Sequence, residues 1–324
     1  MRTFKSALVA ITLTTLLAGC SAGGSAVFEG IKPACEKTQG GAEIDTLKVN
    51  LESNKPPTLD GFVPTDKKTG TVSALTKIKH IETKVIKEGS GPEFTGNQQL
   101  TFEWALFSST TGENQGSSNW DGTNSFTQSF TSVSTPDFCN AITGVKEGSV
   151  VAFATPVSQA EPDGYIYILE IKKIYLPHAN GSEKAPEAGF PQVVSDPKSM
   201  QPGIIQPSFS PSKTFKRAVL IEGRGDAVTS TDKVLVHYTG WIWGSSLSQF
   251  ESTWAVGDPK TMEPASLDMT NVVPGFKKAL DGIKVGSRVI AILPPDEAYG
   301  TAGNSVIPPN STLVFVIDVL DISK

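Results

Sequence analysis

The chain has 324 residues, 38% of them apolar and 19% charged, and a formal charge of −5. That length suits two domains of ordinary size, and the acidic balance argues against a nucleic-acid partner. Three His and three Cys leave little material for a metal cluster, so the composition is that of a loop-rich globular protein with one anomalous segment at its start.

In that segment Arg2 and Lys5 precede an apolar run from Ala7 to Ala18. The run is shorter than the roughly 20 residues a membrane-spanning helix needs, but it has the proportions of a signal peptide. It ends Leu17-Ala18-Gly19-Cys20, which resembles the lipobox of bacterial lipoproteins. The resemblance implies cleavage before Cys20, acylation of that residue, and a lipid anchor that holds the protein outside the cytoplasm on a bacterial cell membrane. Residues 1–19 are thus read as a signal peptide. Residues 20–45, small, polar and Gly-rich, are read as a flexible tether. On the oxidising side of a membrane Cys35 and Cys139 can pair or stay free, and the disulfide is the preferred reading.

Two blocks follow, 46–176 and 190–324, separated by a polar stretch (177–189) that begins Pro177-His178-Ala179-Asn180-Gly181 and reads as a linker. The blocks repeat one another. At an offset of 134, Val85-Ile86-Lys87-Glu88-Gly89-Ser90-Gly91 falls on Val219-Leu220-Ile221-Glu222-Gly223-Arg224-Gly225, and Leu100, Phe102 and Trp104 fall on Val234, Val236 and Tyr238. Apolar residues at alternate positions predict a strand with one buried face. At an offset of 138, Phe138, Ala141, Ile142 and Val145 fall on Phe276, Ala279, Leu280 and Ile283, the stripe of a short helix. Pro136 and Pro274 stand where a missing N–H does no harm, and Gly144 and Gly282 where a left-handed residue ends a helix. Strands are predicted over Ser149–Thr155 and Tyr165–Ile174 in the first block, and over Ser287–Leu293 and Leu313–Ile322 in the second. Each block is therefore expected to be an antiparallel α+β unit, a sheet around one short helix.

From Val234 onward the second block reads Val236-His237-Tyr238-Thr239-Gly240, Phe250-Glu251-Ser252, Val272-Val273-Pro274-Gly275-Phe276, Ala298-Tyr299-Gly300, Ile307-Pro308-Pro309 and Leu313-Val314-Phe315. In this order and spacing the motifs resemble FKBP-type peptidyl-prolyl cis-trans isomerases, with the motif-bearing core at 231–324. The resemblance implies a five-stranded antiparallel sheet wrapped on a short helix. It also implies a pocket walled by Tyr238, Phe250, Val272, Val273, Phe276, Ile307 and Phe315. Tyr299 would offer its hydroxyl to the substrate carbonyl and the Val273 backbone N–H would be a second donor. Phe250, Glu251, Tyr299 and Phe315 would serve catalysis directly. Glu251 stands where the family usually has Asp, Phe276 where it has Trp, and Ala265 where Phe is common. Rotation about an X-Pro bond breaks no covalent bond, so no cofactor is expected, and the partners would be proline-containing polypeptides. A lipid-anchored peptide-binding module without turnover is the competing expectation.

The first block lacks most of this equipment. Trp104 takes the place of Tyr238, and Gly116 and Ser117 take those of Phe250 and Glu251. Between Pro294 and Leu313 the second block has 18 residues, against 8 between Pro156 and Tyr165, so the segment that would carry a counterpart of Tyr299 is missing. The first block is expected to be a degenerate, inactive copy. His80, His178 and His237 have no spacing suited to a metal or a catalytic triad, and His237 should face away from the pocket because it alternates with Tyr238. Arg224-Gly225-Asp226 reads as part of a turn.

Overall fold

The computed structural model describes residues 35–38, 40–60, 74–157, 164–254 and 262–323. Cys20, the signal peptide and the start of the tether lie outside them. In chain order come α1 (Ala42–Asp45), β1 (Lys48–Asn50), β2 (Thr58–Asp60), β3 (Glu82–Lys87), β4 (Gln98–Ser108), β5 (Asn114–Ser117), β6 (Phe126–Phe130), α2 (Pro136–Ile142), β7 (Val150–Ala154) and β8 (Tyr165–Ile174). They are followed by β9 (Ser182–Glu183), β10 (Gln192–Ser195), β11 (Pro202–Ile205), β12 (Lys216–Glu222), β13 (Lys233–Trp243), β14 (Ser248–Ser252), β15 (Ala265–Asp268), α3 (Pro274–Leu280), β16 (Arg288–Leu293) and β17 (Thr312–Ser323).

The larger strands form two antiparallel sheets with one strand order. The first runs β3-β7-β8-β4, and both β5 and β6 pair with β4. The second runs β12-β16-β17-β13, and both β14 and β15 pair with β13. This is a mostly-β member of the α+β class. The predicted strands and both helices are present within one or two residues of their expected ends. Gly144 and Gly282 follow the helices at φ 85° and 74°, where a side chain would be strained.

Each helix lays its apolar stripe on one face of its sheet. Phe276, Ala279, Leu280 and Ile283 pack with Val234, Val236, Val289, Ala291, Phe315 and Ile317. Cys139, Ala141, Ile142 and Val145 pack with Leu100, Phe102, Val151, Phe153 and Leu169. The opposite faces are covered as well, by the segments that precede β3 and β12. Ile44, Leu47, Leu75 and Ile78 cover the first sheet, and Ile204 with Phe190 and Val193 covers the second.

Two expectations are corrected by these covers. From Cys35 onward the supposed tether is fixed: Cys35 is disulfide-bonded to Cys139 with Cα atoms 5.6 Å apart, and Ile44 is fully buried, its N–H donating to Glu82. The supposed linker is also part of a sheet, since β9 pairs with β12 and the Asn180 and Gly181 N–H groups donate to the Gly286 carbonyl. Composition marked both stretches as polar, but a few apolar or cysteine anchors and backbone hydrogen bonds are enough to order them.

The cover of the second sheet is held by a buried ion pair. Arg288 makes a two-point contact with Asp318 at 2.5 and 2.8 Å and reaches on to the Ser195 hydroxyl and the Met200 carbonyl. Asp318 in turn accepts the Ala179 N–H at 2.8 Å. Each of these bonds has a charged group on at least one side, and removing one partner of such a buried pair typically costs about 3–5 kcal/mol.

Candidate active site

The helix-facing side of the second sheet carries a cluster of four aromatic rings. Tyr238 comes from β13, Phe250 from β14, Phe276 from α3 and Phe315 from β17. Phe315 is the hub: its ring lies 5.3 Å from Phe276 and 5.7 Å from Phe250, both edge-on, and 6.1 Å from Tyr238. Tyr238 meets Phe276 edge-on at 5.8 Å. Edge-to-face pairs of this kind contribute about 0.5–1.5 kcal/mol each beyond their burial, and they fix the ring planes.

Gly240 makes this packing possible. A Cβ there would stand 2.6 Å from the Phe250 ring and 2.8 Å from the Phe315 ring. The pairing of β13 with β14 also skips a residue, since Gly240 faces Glu251 and Trp241 faces Gln249, which leaves Phe250 bulged out of register. A bulge re-aims side chains, and here it lets two consecutive residues, Phe250 and Glu251, serve one site. Phe250 packs into the cluster, while the exposed Glu251 carboxylate lies near enough to the Tyr238 hydroxyl to act on its ionisation. Burial first, and then Glu251, hold the Tyr238 hydroxyl well above its ordinary pKa. It remains a neutral donor at any physiological pH.

The remaining residues frame the mouth. Val272 and Val273 are half-buried just ahead of α3 and pack on the same core, and Ile307 is fully buried. The Val273 N–H donates to no described residue, whereas its carbonyl accepts from Phe276 and Lys277. Tyr299 is 38% exposed on the segment between β16 and β17. Burial and the nearby Glu251 charge raise its pKa too. The segment is not loose: Gly300 N–H donates to Pro295, Gly303 N–H to Tyr299 and Asn310 N–H to Gly300. The Asn304 side chain accepts the N–H groups of Val306 and Ile307. Gly300 and Gly303 take φ near 60°, and a Cβ on Gly303 would strike the Ile307 carbonyl at 2.4 Å.

Seven of the nine residues named from the sequence (Tyr238, Phe250, Val272, Val273, Phe276, Ile307 and Phe315) share one apolar cluster, and Glu251 and Tyr299 stand beside it. His237 lies on the other face, as its alternation requires, stacked on Trp254 at 4.4 Å and bonded to the Thr253 hydroxyl. Sequence reasoning missed Gly240 and the Phe250 bulge. A glycine in the middle of an apolar strand was a readable sign of close approach, but which rings approach it is not written in the strand.

Residues 225–320 match the family model for FKBP-type peptidyl-prolyl cis-trans isomerases. The second unit belongs to that family. Among curated proteins, the FKBP-type peptidyl-prolyl cis-trans isomerase FkpA of Escherichia coli (strain K12) is 38% identical over 104 residues, 32% of this chain and 36% of FkpA. The peptidyl-prolyl cis-trans isomerase Mip of Chlamydia trachomatis serovar D is 36% identical over 120 residues, 37% of this chain and 44% of Mip. The chain thus spans less than half the length of either relative. The crystal structure of Escherichia coli FkpA aligns with a TM-score of 0.31 at 31% identity, over 43% of this chain and 54% of that one.

Beside the FKBP-type pocket, the corresponding face of the first sheet is filled. Trp104 takes the position of Tyr238, Phe138 that of Phe276, Tyr167 that of Phe315 and Phe153 that of Ala291, by register. Phe153 stacks on Tyr167 at 4.9 Å and meets Phe138 edge-on at 5.0 Å. A phenyl ring thus stands where the second sheet has only the Ala291 methyl. Gly116 stands in place of Phe250 and lies against the Trp104 ring.

Proposed function

We propose that the second unit accelerates cis-trans rotation of X-Pro bonds in polypeptides outside the cytoplasm, as a folding helper. The carrying observation is the aromatic cluster itself: four packed rings with Tyr299 beside them and a Val273 N–H that donates to no described residue. Amide resonance sets a rotational barrier of about 18–20 kcal/mol. The twisted amide has lost the charge-separated resonance form, so an apolar, water-poor enclosure disfavours the planar ground state relative to it. In this reading Phe276 forms the floor, Tyr238, Phe250, Ile307 and Phe315 the walls, and Val272 and Val273 one rim. Tyr299 and the Val273 N–H hold the carbonyl while the bond turns. Glu251 orients the Tyr238 hydroxyl and adds to the polar rim. Conformational isomerisation needs no proton transfer, in keeping with tyrosines held neutral.

The proposal extends to the whole chain. Residues 46–176 and 190–324 are two FKBP-like domains, of which the first is inactive because Phe153 fills its pocket and the segment bearing a catalytic tyrosine is absent. Residues 1–19 direct export and Cys20 carries the lipid that attaches the protein to the membrane. The same strand order in both sheets supports the first statement, and the Leu17–Cys20 motif the second.

The test is refolding of a proline-limited protein substrate by the full chain and by Tyr299→Phe. The expected result is acceleration by the wild type and a loss of about tenfold in kcat/KM on removing one hydroxyl donor, or about 1.4 kcal/mol. Tight peptide binding with no acceleration would leave a binding module instead.

A further inference from the structure

The segment that carries Tyr299 touches helix α3 at two points one helical turn apart. Gly275 is the first: a Cβ there would stand 2.8 Å from the Glu297 carbonyl and 2.4 Å from the Leu293 side chain, so the short 3-10 turn Pro295–Glu297 lies directly on the helix. Lys278 is the second, three residues on and so on the same face. Its ammonium is paired with the Glu297 carboxylate, two residues before Tyr299. The pair is asymmetric in burial, Lys278 being 54% exposed and Glu297 only 16%, and the second Glu297 oxygen is buried without a hydrogen-bond partner. Lys278 is therefore what compensates that carboxylate among the described residues.

The helix on which this contact rests is itself fixed. The Arg217 guanidinium donates to the carbonyls of Lys278, Ala279 and Asp281, which closes its C-terminal end. At its other end α3 bears Phe276, the pocket floor, and follows Val273. A contact that ties Glu297 to α3 thus sets the distance from Tyr299 to the floor and to the second donor.

The first unit supplies an internal control. There the Tyr299-bearing segment is missing, and by the offset of 138 Asp137 replaces Gly275 and Asn140 replaces Lys278. Asn140 is turned to another use, its side chain accepting the Glu36 N–H and its carbonyl the Thr38 N–H. Where the catalytic segment is absent, both features of the clamp are absent too.

We propose that Lys278, through Glu297 and beside Gly275, is a positioning residue that holds the Tyr299 hydroxyl at the pocket mouth. This rests on the isomerase reading above and adds a requirement to it. Lys278→Met in the full chain is expected to lower kcat/KM about two- to fivefold, the scale of a partly exposed ion pair, with the thermal midpoint nearly unchanged. Lys278→Arg should restore most of the loss. A purely structural lysine would act independently of the tyrosine, so the deciding comparison is the Tyr299→Phe background, where Lys278→Met should cost almost nothing further. Amide hydrogen exchange gives a second readout that needs no activity: protection at Gly300 and Gly303 should fall in Lys278→Met, while β13 and β17 stay protected. Unchanged exchange at those glycines, or an equal loss of activity in both backgrounds, overturns the proposal. A wild type without isomerase activity defeats the functional reading, and the exchange experiment still decides whether Lys278 holds the segment.

Discussion

Two sheets with one strand order end in opposite outcomes. In the second, Gly240 lets the Phe250 and Phe315 rings approach the strand, and the rings stand edge-on to one another above the small Ala291. In the first, Phe153 stands in place of Ala291 and stacks flat on Tyr167, and the 18-residue connection has shrunk to 8. The core stripes of both helices survive, so what separates a pocket from a packed core is a handful of side-chain volumes and one connection. Close packing explains the economy of the change, because an interior has few voids and one extra ring consumes the space of a binding site.

That contrast can be broken most forcefully at equivalent hubs. Phe315→Ala is expected to abolish measurable isomerisation, with a stability cost of about 3–5 kcal/mol for a large core truncation. Tyr167→Ala should destabilise the first unit yet leave refolding catalysis intact. Loss of catalysis in both variants would mean that the first unit takes part in the reaction.

The disulfide separates the units next. It closes a span of 104 residues, for which the usual stabilisation is about 2–5 kcal/mol. Cys139→Ser, or mild reduction, should lower the first unfolding transition in a calorimeter by an amount of that order and leave isomerase turnover unchanged. Turnover that falls with the bridge would show that the units are energetically coupled.

A graded effect, about 1.4 kcal/mol per pH unit at most, concerns the sheet faces turned away from the helices, where Glu103 and His237 hold equivalent buried positions. Burial pushes the His237 imidazole down to about 3, with the charges of His178 and Arg288 adding to it; Asp318 is its register partner on β17. The unfolded chain binds a proton near pH 6.5 that the folded one refuses, so stability of the second unit should decline as pH falls from 6.5 toward 3. Glu103 behaves oppositely in its causes: burial would raise its carboxyl, but hydrogen bonds from Ser118, Ser125 and the Trp120 and Gly122 N–H groups outweigh it and hold it low. Urea midpoints at pH 7 and pH 4.5 for wild type and His237→Gln check the histidine. The substitution should flatten the slope of the second transition only.

Much of this was legible in the chain. Alternating apolar residues located β4 and β13, the 0, 3, 4, 7 stripes located α2 and α3, and the offset alignment showed at which positions the two blocks differ in aromatic side chains. The Cys35–Cys139 bridge was one of two open readings, since a thiol's partner depends on proximity and not on spacing. The misread segments were those with little apolar periodicity. Residues 35–45 and 177–189 read as tether and linker because their order comes from single anchors, Ile44 and Cys35 in one and backbone pairing with β12 and Gly286 in the other.

What the amino-acid sequence determined by itself was periodic or motif-borne: an α+β class, the helices and strands of two like sheets, and the side chains that gather into one aromatic cluster. Only the tertiary structure decided how those side chains meet. The Phe250 bulge, the volume freed by Gly240, the Arg288–Asp318 pair under β10 and β11, and the Lys278–Glu297 contact beside Tyr299 all join residues remote in the chain. Each depends on distances of a few tenths of an ångström between elements, and no local pattern encodes such distances because they are set by the packing of every layer at once.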